Sequence, residues 1–163
     1  MSPAEVLNST SLFAKVLDPA EIETLASGLK LADFPRGAVL MRQGEEGATM
    51  FILLQGAVEV VIHAPGGPKN VAVLGPGEIV GEMSLMTGCY RTATVSVTKA
   101  LTALEIPKDA LRSLVSAKPD LIRRFAEIIE QRSAELKMIR NEASRAGKDR
   151  ISVENMMRAF YMS

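Results

Sequence analysis

Cysteine and histidine are nearly absent: the 163-residue chain has one of each, Cys89 and His63. A lone cysteine cannot close an internal bridge, and a lone histidine excludes a multi-histidine metal site, so no metal centre is expected. Net charge is absent as well, 19 basic residues balancing 19 acidic ones, which removes any general pull toward DNA, RNA or an anionic membrane. No apolar run approaches the ~18 residues that mark a spanning helix. The first residues, MSPAEVLNSTSLF, lack a basic start followed by a long apolar core, so a signal peptide is not expected. What remains reads as one domain in a reducing, cytoplasmic setting, long enough to bury about 70% of the surface its unfolded chain exposes.

Glycine is concentrated rather than scarce. Ten of the 12 glycines lie between residues 37 and 88, leaving only Gly28 and Gly147 outside. Glycine every few residues between short apolar runs signals tight turns joining short strands, whereas the glycine-poor, charged flanks signal helices. Short β-branched runs stand at Val39-Leu40-Met41, Met50 to Leu54, Val58 to Ile62, Val71 to Leu74, Thr92 to Val97 and Leu101 to Ile106, with turn signals at Gln55-Gly56 and Pro65 to Pro68. No crossover helix fits between them, which favours a small antiparallel β-roll over a parallel sheet.

The flanks carry helix punctuation. Asp18-Pro19-Ala20-Glu21 has a capping side chain, a first-turn proline and a capping-box carboxylate, and Ile22, Leu25, Ala26 and Leu29 follow at helical spacing. Ser11-Leu12-Phe13 opens another short helical piece. After Pro107 the period changes again: Leu111, Leu114 and Val115 mark a short helix. From Pro119 a longer one carries Ile122, Phe125, Ile129, Leu136, Ile139 and Ala143 toward a stop near Gly147. Arg132 interrupts that stripe, which favours packing on the β-roll over a homodimer seam along 119–145. A tail with Val153, Met156, Met157, Phe160 and Tyr161 could close the core, dock on a partner, or lay an aromatic ring over a ligand. The fold class expected is mainly β with flanking helices. It divides into an N-terminal helical part at 1–33, a β-roll at 34–107, two helices at 108–146 and a tail at 147–163. Residues 1–118 carry ten basic and twelve acidic side chains and residues 119–163 nine and seven, too small an asymmetry for a nucleic-acid arm.

The stretch that carries chemistry runs from Gly81 to Val95, GEMSLMTGCYRTATV. It contains a glycine, a carboxylate, one turn of potential helix, a loop, and an arginine leading into a strand. The small residues Gly81, Ser84, Gly88, Thr92 and Ala93 let backbone N–H groups approach a ligand, and N–H groups at a helix start favour an anion. Arg91 adds a permanently charged, forked donor suited to phosphate oxygens. Glu82 cannot help to hold the same anion, so it is expected to face a sugar hydroxyl. For Glu82 and Arg91 the competing reading is a solvated surface pair. Gly75 to Gly81 has the wrong spacing for a dinucleotide loop and reads as a turn. Cys89 beside Arg91 reads as incidental rather than redox-active, and His63 as a solvated turn residue.

This segment resembles the phosphate-binding cassette of cyclic nucleotide-binding domains, roughly G-E-x-[AS]-L, a short loop, then R-[TSA]-A. Phe34-Pro35-Arg36-Gly37, Gln43 to Gly47 and Met50 to Val60 are similar to the early strands of that family, and the likeness extends over about residues 11 to 145. The resemblance implies an eight-stranded type of β-roll and a cassette at 81–93. Glu82 would accept from the ribose 2′-hydroxyl and Arg91 would pair with the cyclic phosphate. Gly81, Met83, Ser84, Leu85, Thr92 and Ala93 would complete the site, and Thr92 could also touch a guanine held syn. Leu136 and Ile139 on the long helix would supply lid contacts over the base. Two departures stand out: Tyr90 occupies a position that is proline in many members, and Leu136-Lys137 replace the hydroxyl residues that read adenine in the catabolite-activator branch. Both cAMP and cGMP therefore stay open as ligands.

The resemblance further implies a regulatory module that is not an enzyme and needs no cofactor. Phosphodiester hydrolysis would call for metal ligands or an activated nucleophile. Binding would shift the population of the helix at 108–117 and swing 119–145 as a lid. The effector or partner protein is left open by the sequence. Only 16 residues follow Gly147, too few for a helix-turn-helix, so no nucleic-acid partner is expected of this chain. The rival reading is a β-roll that serves protein interaction without binding nucleotide; a cupin-type metalloenzyme is set aside for want of histidines.

Overall fold

In the computed structural model, residues 2–88, 90–140 and 161 are described. The chain opens with α1 (Pro3–Ser9), α2 (Ser11–Ala14) and α3 (Pro19–Ala26). Two of these start on complete capping boxes. Asp18 accepts the Glu21 N–H at 2.8 Å while the Glu21 carboxylate accepts the Asp18 N–H at 2.8 Å, as the sequence predicts. Ser2 and Glu5 repeat the arrangement on α1 at 3.2 and 3.0 Å. Each box satisfies two of the N–H groups that a helix start leaves without intrahelical acceptors.

The β-roll begins at Lys30, ahead of the position expected. Its strands are β1 (Lys30–Phe34), β2 (Val39–Met41), β3 (Thr49–Ala64), β4 (Gly67–Leu74), β5 (Ile79–Val80) and β6 (Thr94–Pro107). They form one antiparallel sheet in the order β1-β6-β3-β4, with β2 added on β6 and β5 on β3. The axis is the β3–β6 pair, which runs from Thr49↔Pro107 to Val61↔Thr94.

Here the strand count differs from expectation. The runs at 50–54 and 58–62 lie on one strand, as do those at 92–97, which pairs only from Thr94, and 101–106, so there are six continuous strands rather than eight among the described residues. Gln55-Gly56, which reads as a turn, is instead part of a bulged stretch where the β3–β6 register shifts between Leu53 and Val58. Gly56 has φ +89°, and a Cβ there would lie 2.2 Å from the Ala100 carbonyl oxygen. Only glycine allows that approach. Glycine in a bulge and glycine in a turn leave the same mark on a sequence.

Alternation along β3 and β6 separates two apolar clusters. Met50, Ile52, Leu104 and Ile106 join the helices on one face. Phe51, Leu53, Val58, Val95, Val97, Leu101 and Ala103 fill the interior of the roll on the other. After β6 come α5 (Lys108–Ala117) and α6 (Asp120–Arg140). Leu111, Leu114, Val115, Ile122 and Phe125 complete the helix-side cluster. Phe13 meets Phe125 edge to face, centroids 5.8 Å apart, and Lys118 pairs with Glu21 at 2.8 Å. The start of the long helix thus packs on the N-terminal helices. No described helix is long and apolar enough to cross a membrane.

Candidate functional site

β5 delivers the chain to Gly81, whose φ of +85° turns it at once from strand into helix α4 (Glu82–Thr87). A Cβ at Gly81 would fall 2.6 Å from the Thr49 carbonyl oxygen, 2.8 Å from Arg91 Nη1 and 3.1 Å from Met41 Cε. The glycine therefore serves both a backbone conformation open to few other residues and a close approach by the arginine. Ser84 and Leu85 are buried behind it. The Ser84 carbonyl accepts the Gly88 N–H at 2.9 Å, closing the short helix.

Arg91 is the centre of the site. Its backbone is clasped by the loop after β2: the Arg91 N–H donates to the Glu45 carbonyl at 2.9 Å, and the Gly44 N–H donates to the Arg91 carbonyl at 2.8 Å. That loop is pinned in turn. The Gln43 N–H reaches Thr94 Oγ1 at 3.0 Å, and the Gln43 amide side chain makes two bonds to the His63 backbone. The Arg91 residue is only 7% exposed. Its guanidinium lies between two glycines. A Cβ at Gly47 would stand 2.9 Å from both Nε and Nη2, and one at Gly81 would crowd Nη1. Such a slot aims a forked, permanently charged donor and holds it out of bulk water, which suits an anionic oxygen pair.

Glu82 follows Gly81 directly as the first residue of α4; it is half-buried, with Oε2 sealed from solvent. Ala93 is buried and Thr92 exposed. The structure thus gathers Gly81, Glu82, Ser84, Leu85, Arg91, Thr92 and Ala93 around one short helix and loop. The side chains of Met83, Leu136 and Ile139 lie outside the described residues, as do Cys89, the segment 141–160 and the tail apart from Tyr161. The expected lid contacts and the helix stop near Gly147 fall there.

Sequence reasoning missed Gly47 as a site residue. Its only sign in the sequence is the Gln43-Gly44-Glu45-Glu46-Gly47 run, and nothing in that run reveals that it meets a residue 44 positions later. His63 is exposed, as read, but is a strand residue of β3 paired with Pro68 rather than a turn residue. Of Gly75 to Gly81, Gly75 to Glu78 is the turn, closed by the Glu78 N–H on the Gly75 carbonyl at 3.2 Å, and Ile79–Val80 is strand β5. No group of histidine, cysteine, aspartate and glutamate able to hold a metal ion occurs among the described residues. A groove of about 630 Å³ lies elsewhere, lined by Lys15, Asp18, Glu21, Lys118 and Arg124. It is the cleft between the N-terminal helices and α6, crossed by the Lys118–Glu21 pair.

Known proteins place this arrangement. A CRP-like cAMP-activated global transcriptional regulator of Mycobacterium tuberculosis is 30% identical over 129 residues, 78% of this chain and 57% of that protein. A cyclic nucleotide-gated potassium channel of Mesorhizobium japonicum is 33% identical over 131 residues, 80% of this chain and 35% of the channel. The chain thus spans about half or less of these curated relatives. Among solved structures, a cyclic nucleotide-binding domain from Methylobacillus flagellatus superposes with a TM-score of 0.69 at 25% identity, covering 92% of this chain and 85% of that one. The N-terminal domain of a transcriptional regulator from Streptomyces coelicolor A3(2) superposes with a TM-score of 0.67 at 26% identity, over 80% of this chain and 94% of that one. The description that matches residues 31–118 is the cyclic nucleotide-binding domain. With the β-roll, its flanking helices and the glycine-lined arginine in hand, the chain belongs to the cyclic nucleotide-binding domain family.

Proposed function

We propose that this chain binds cAMP or cGMP between α4 and the loop at 42–47, and acts as a regulatory rather than a catalytic module. The observation that carries the reading is the seating of Arg91, buried and aimed by Gly47 and Gly81. In this reading Arg91 pairs with the cyclic phosphate and Glu82 accepts from the ribose 2′-hydroxyl. Gly81, Met83, Ser84, Leu85, Thr92 and Ala93 shape the cassette. A cyclic phosphate bears one negative charge, which a forked guanidinium in a dry slot meets with charge-assisted bonds of about 1.5–3 kcal/mol each.

Transmission would begin where the site meets the helices. The Lys108 N–H donates to the Ala48 carbonyl at 2.9 Å, and Ala48 follows Gly47, so the loop against Arg91 is bonded to the first residue of α5. Filling the site would shift the balance between positions of the hinge at 108–117 and of the lid helix beyond it, with Leu136 and Ile139 facing the base. Isothermal calorimetry with cAMP and with cGMP, repeated on Arg91→Ala, tests the reading. Heat with at least one nucleotide in the wild type, lost or weakened tenfold or more in the variant, supports it. No heat with either ligand would leave a β-roll used for protein interaction.

A further inference from the structure

The helix α4 ends with help from far along the chain. In a six-residue helix the last four carbonyls have no amide donor within the helix. The Ser84 carbonyl takes the Gly88 N–H; the Leu85 carbonyl takes the hydroxyl of Tyr161, 76 positions later. Tyr161 is 3% exposed and belongs to the helix-side apolar cluster together with Leu85, Leu111 and Phe125. The Lys108 ammonium stands 5.9 Å from its ring centroid, within cation–π range. One side chain from the C-terminal segment therefore touches both the cassette helix and the first residue of the hinge helix.

The geometry points to Tyr161 as a positioning residue, a latch that caps α4 through Leu85 and so links the docking of its own side chain to occupancy of the cassette. Of the three roles open to the tail on sequence, the Tyr161 side chain takes the core-closing one, with a regulatory consequence. The helix that Tyr161 caps is the one that carries Glu82 and Ser84. A ligand that orders the helix tightens the latch, and by linkage an engaged latch raises the ligand's affinity by the same factor. Burial pushes the phenol well above its usual pKa, so the hydroxyl stays protonated and able to donate throughout the neutral range. The inference rests on the cyclic-nucleotide reading above and adds a regulator to that site.

Tyr161→Phe removes the hydroxyl and keeps the ring, so it spares the packing. Calorimetry with cAMP and cGMP on the wild type and Tyr161→Phe is the first measurement. Affinity should fall roughly three- to tenfold, the worth of one buried hydrogen bond. The second measurement follows Tyr161 by ring-labelled tyrosine NMR in a Tyr90→Phe background, where it is the only tyrosine of the two. Its signal should shift on saturation with the nucleotide that binds. A merely structural role would lower the thermal stability of Tyr161→Phe while leaving its affinity unchanged, and would leave the Tyr161 signal of the Tyr90→Phe protein unmoved by saturating nucleotide; that result overturns the latch alone. If the wild type binds neither nucleotide, the binding reading fails and the latch fails with it.

Discussion

Lys108 and Ala48 are joined by a backbone hydrogen bond of 2.9 Å, so α5 starts one bond away from the loop that lines Arg91. Gly47, Ala48 and Lys108 form a continuous route from guanidinium to helix. The route is made of main chain, which side-chain substitution leaves largely intact. The informative perturbations are those that change how the arginine sits.

Arg91→Ala should weaken nucleotide binding by at least roughly tenfold, since a charge-assisted bond contributes about 1.5–3 kcal/mol. Arg91→Lys should recover little of it, because an ammonium keeps the charge but not the fork. Titration calorimetry on both variants, with thermal unfolding as a control for folding, checks this.

The two glycines beside Arg91 should separate binding from stability. At Gly47 the three atoms nearest a Cβ would all belong to the guanidinium, from 2.9 Å, whereas at Gly81 the nearest would be the Thr49 carbonyl oxygen at 2.6 Å under a φ of +85°. Gly47→Ala should displace Arg91 and reduce affinity with little change in unfolding free energy. Gly81→Ala should lose both, with about 1–3 kcal/mol of strain added to the fold. Equal stability losses in the two variants would refute the distinction.

Gly56→Ala tests the bulge. The added carbon would lie 2.2 Å from the Ala100 carbonyl, and the backbone cannot yield without disturbing the β3–β6 ladder. A destabilisation above the ~1–3 kcal/mol of a strained φ alone is expected by urea unfolding.

Glu21 and Lys118 predict a pH dependence with a definite sign. The hydrogen bond from Lys118, then that from the Asp18 backbone, holds the Glu21 carboxyl below its ordinary value. A carboxyl lowered in the folded state adds stability above its unfolded pKa of about 4.3 and loses it as pH falls through the folded value. Lys118 is raised, chiefly by its hydrogen bond to Glu21, so its contribution persists through neutral pH and is lost only as pH climbs past its own raised value. Glu21→Gln should therefore be less stable than the wild type at neutral pH, with the gap closing in acid. Denaturant midpoints across that range measure it, and a gap independent of pH would count against the pairing.

Local signals were the legible ones. Asp18-Pro19-Glu21 announced a helix start because capping depends on neighbours three residues apart. The stripe after Pro107 announced α5, and the Gly81–Ala93 run announced one turn of helix behind a glycine. What stayed hidden depends on topology. Lys30–Phe34 carries two charges in five residues and is a strand because it pairs with Leu101–Glu105. Gly56 hid a bulge behind the appearance of a turn. The partnerships of Gly47 with Arg91 and of Tyr161 with Leu85 join residues that no local pattern relates.

Met50, Phe51, Ile52 and Leu53 are four consecutive buried residues whose side chains alternate between the helix-side cluster and the roll interior. Neither face of that segment is wetted. Its amide protons should be the last in the molecule to exchange with deuterated water, because releasing them requires both clusters to come apart together rather than either one alone.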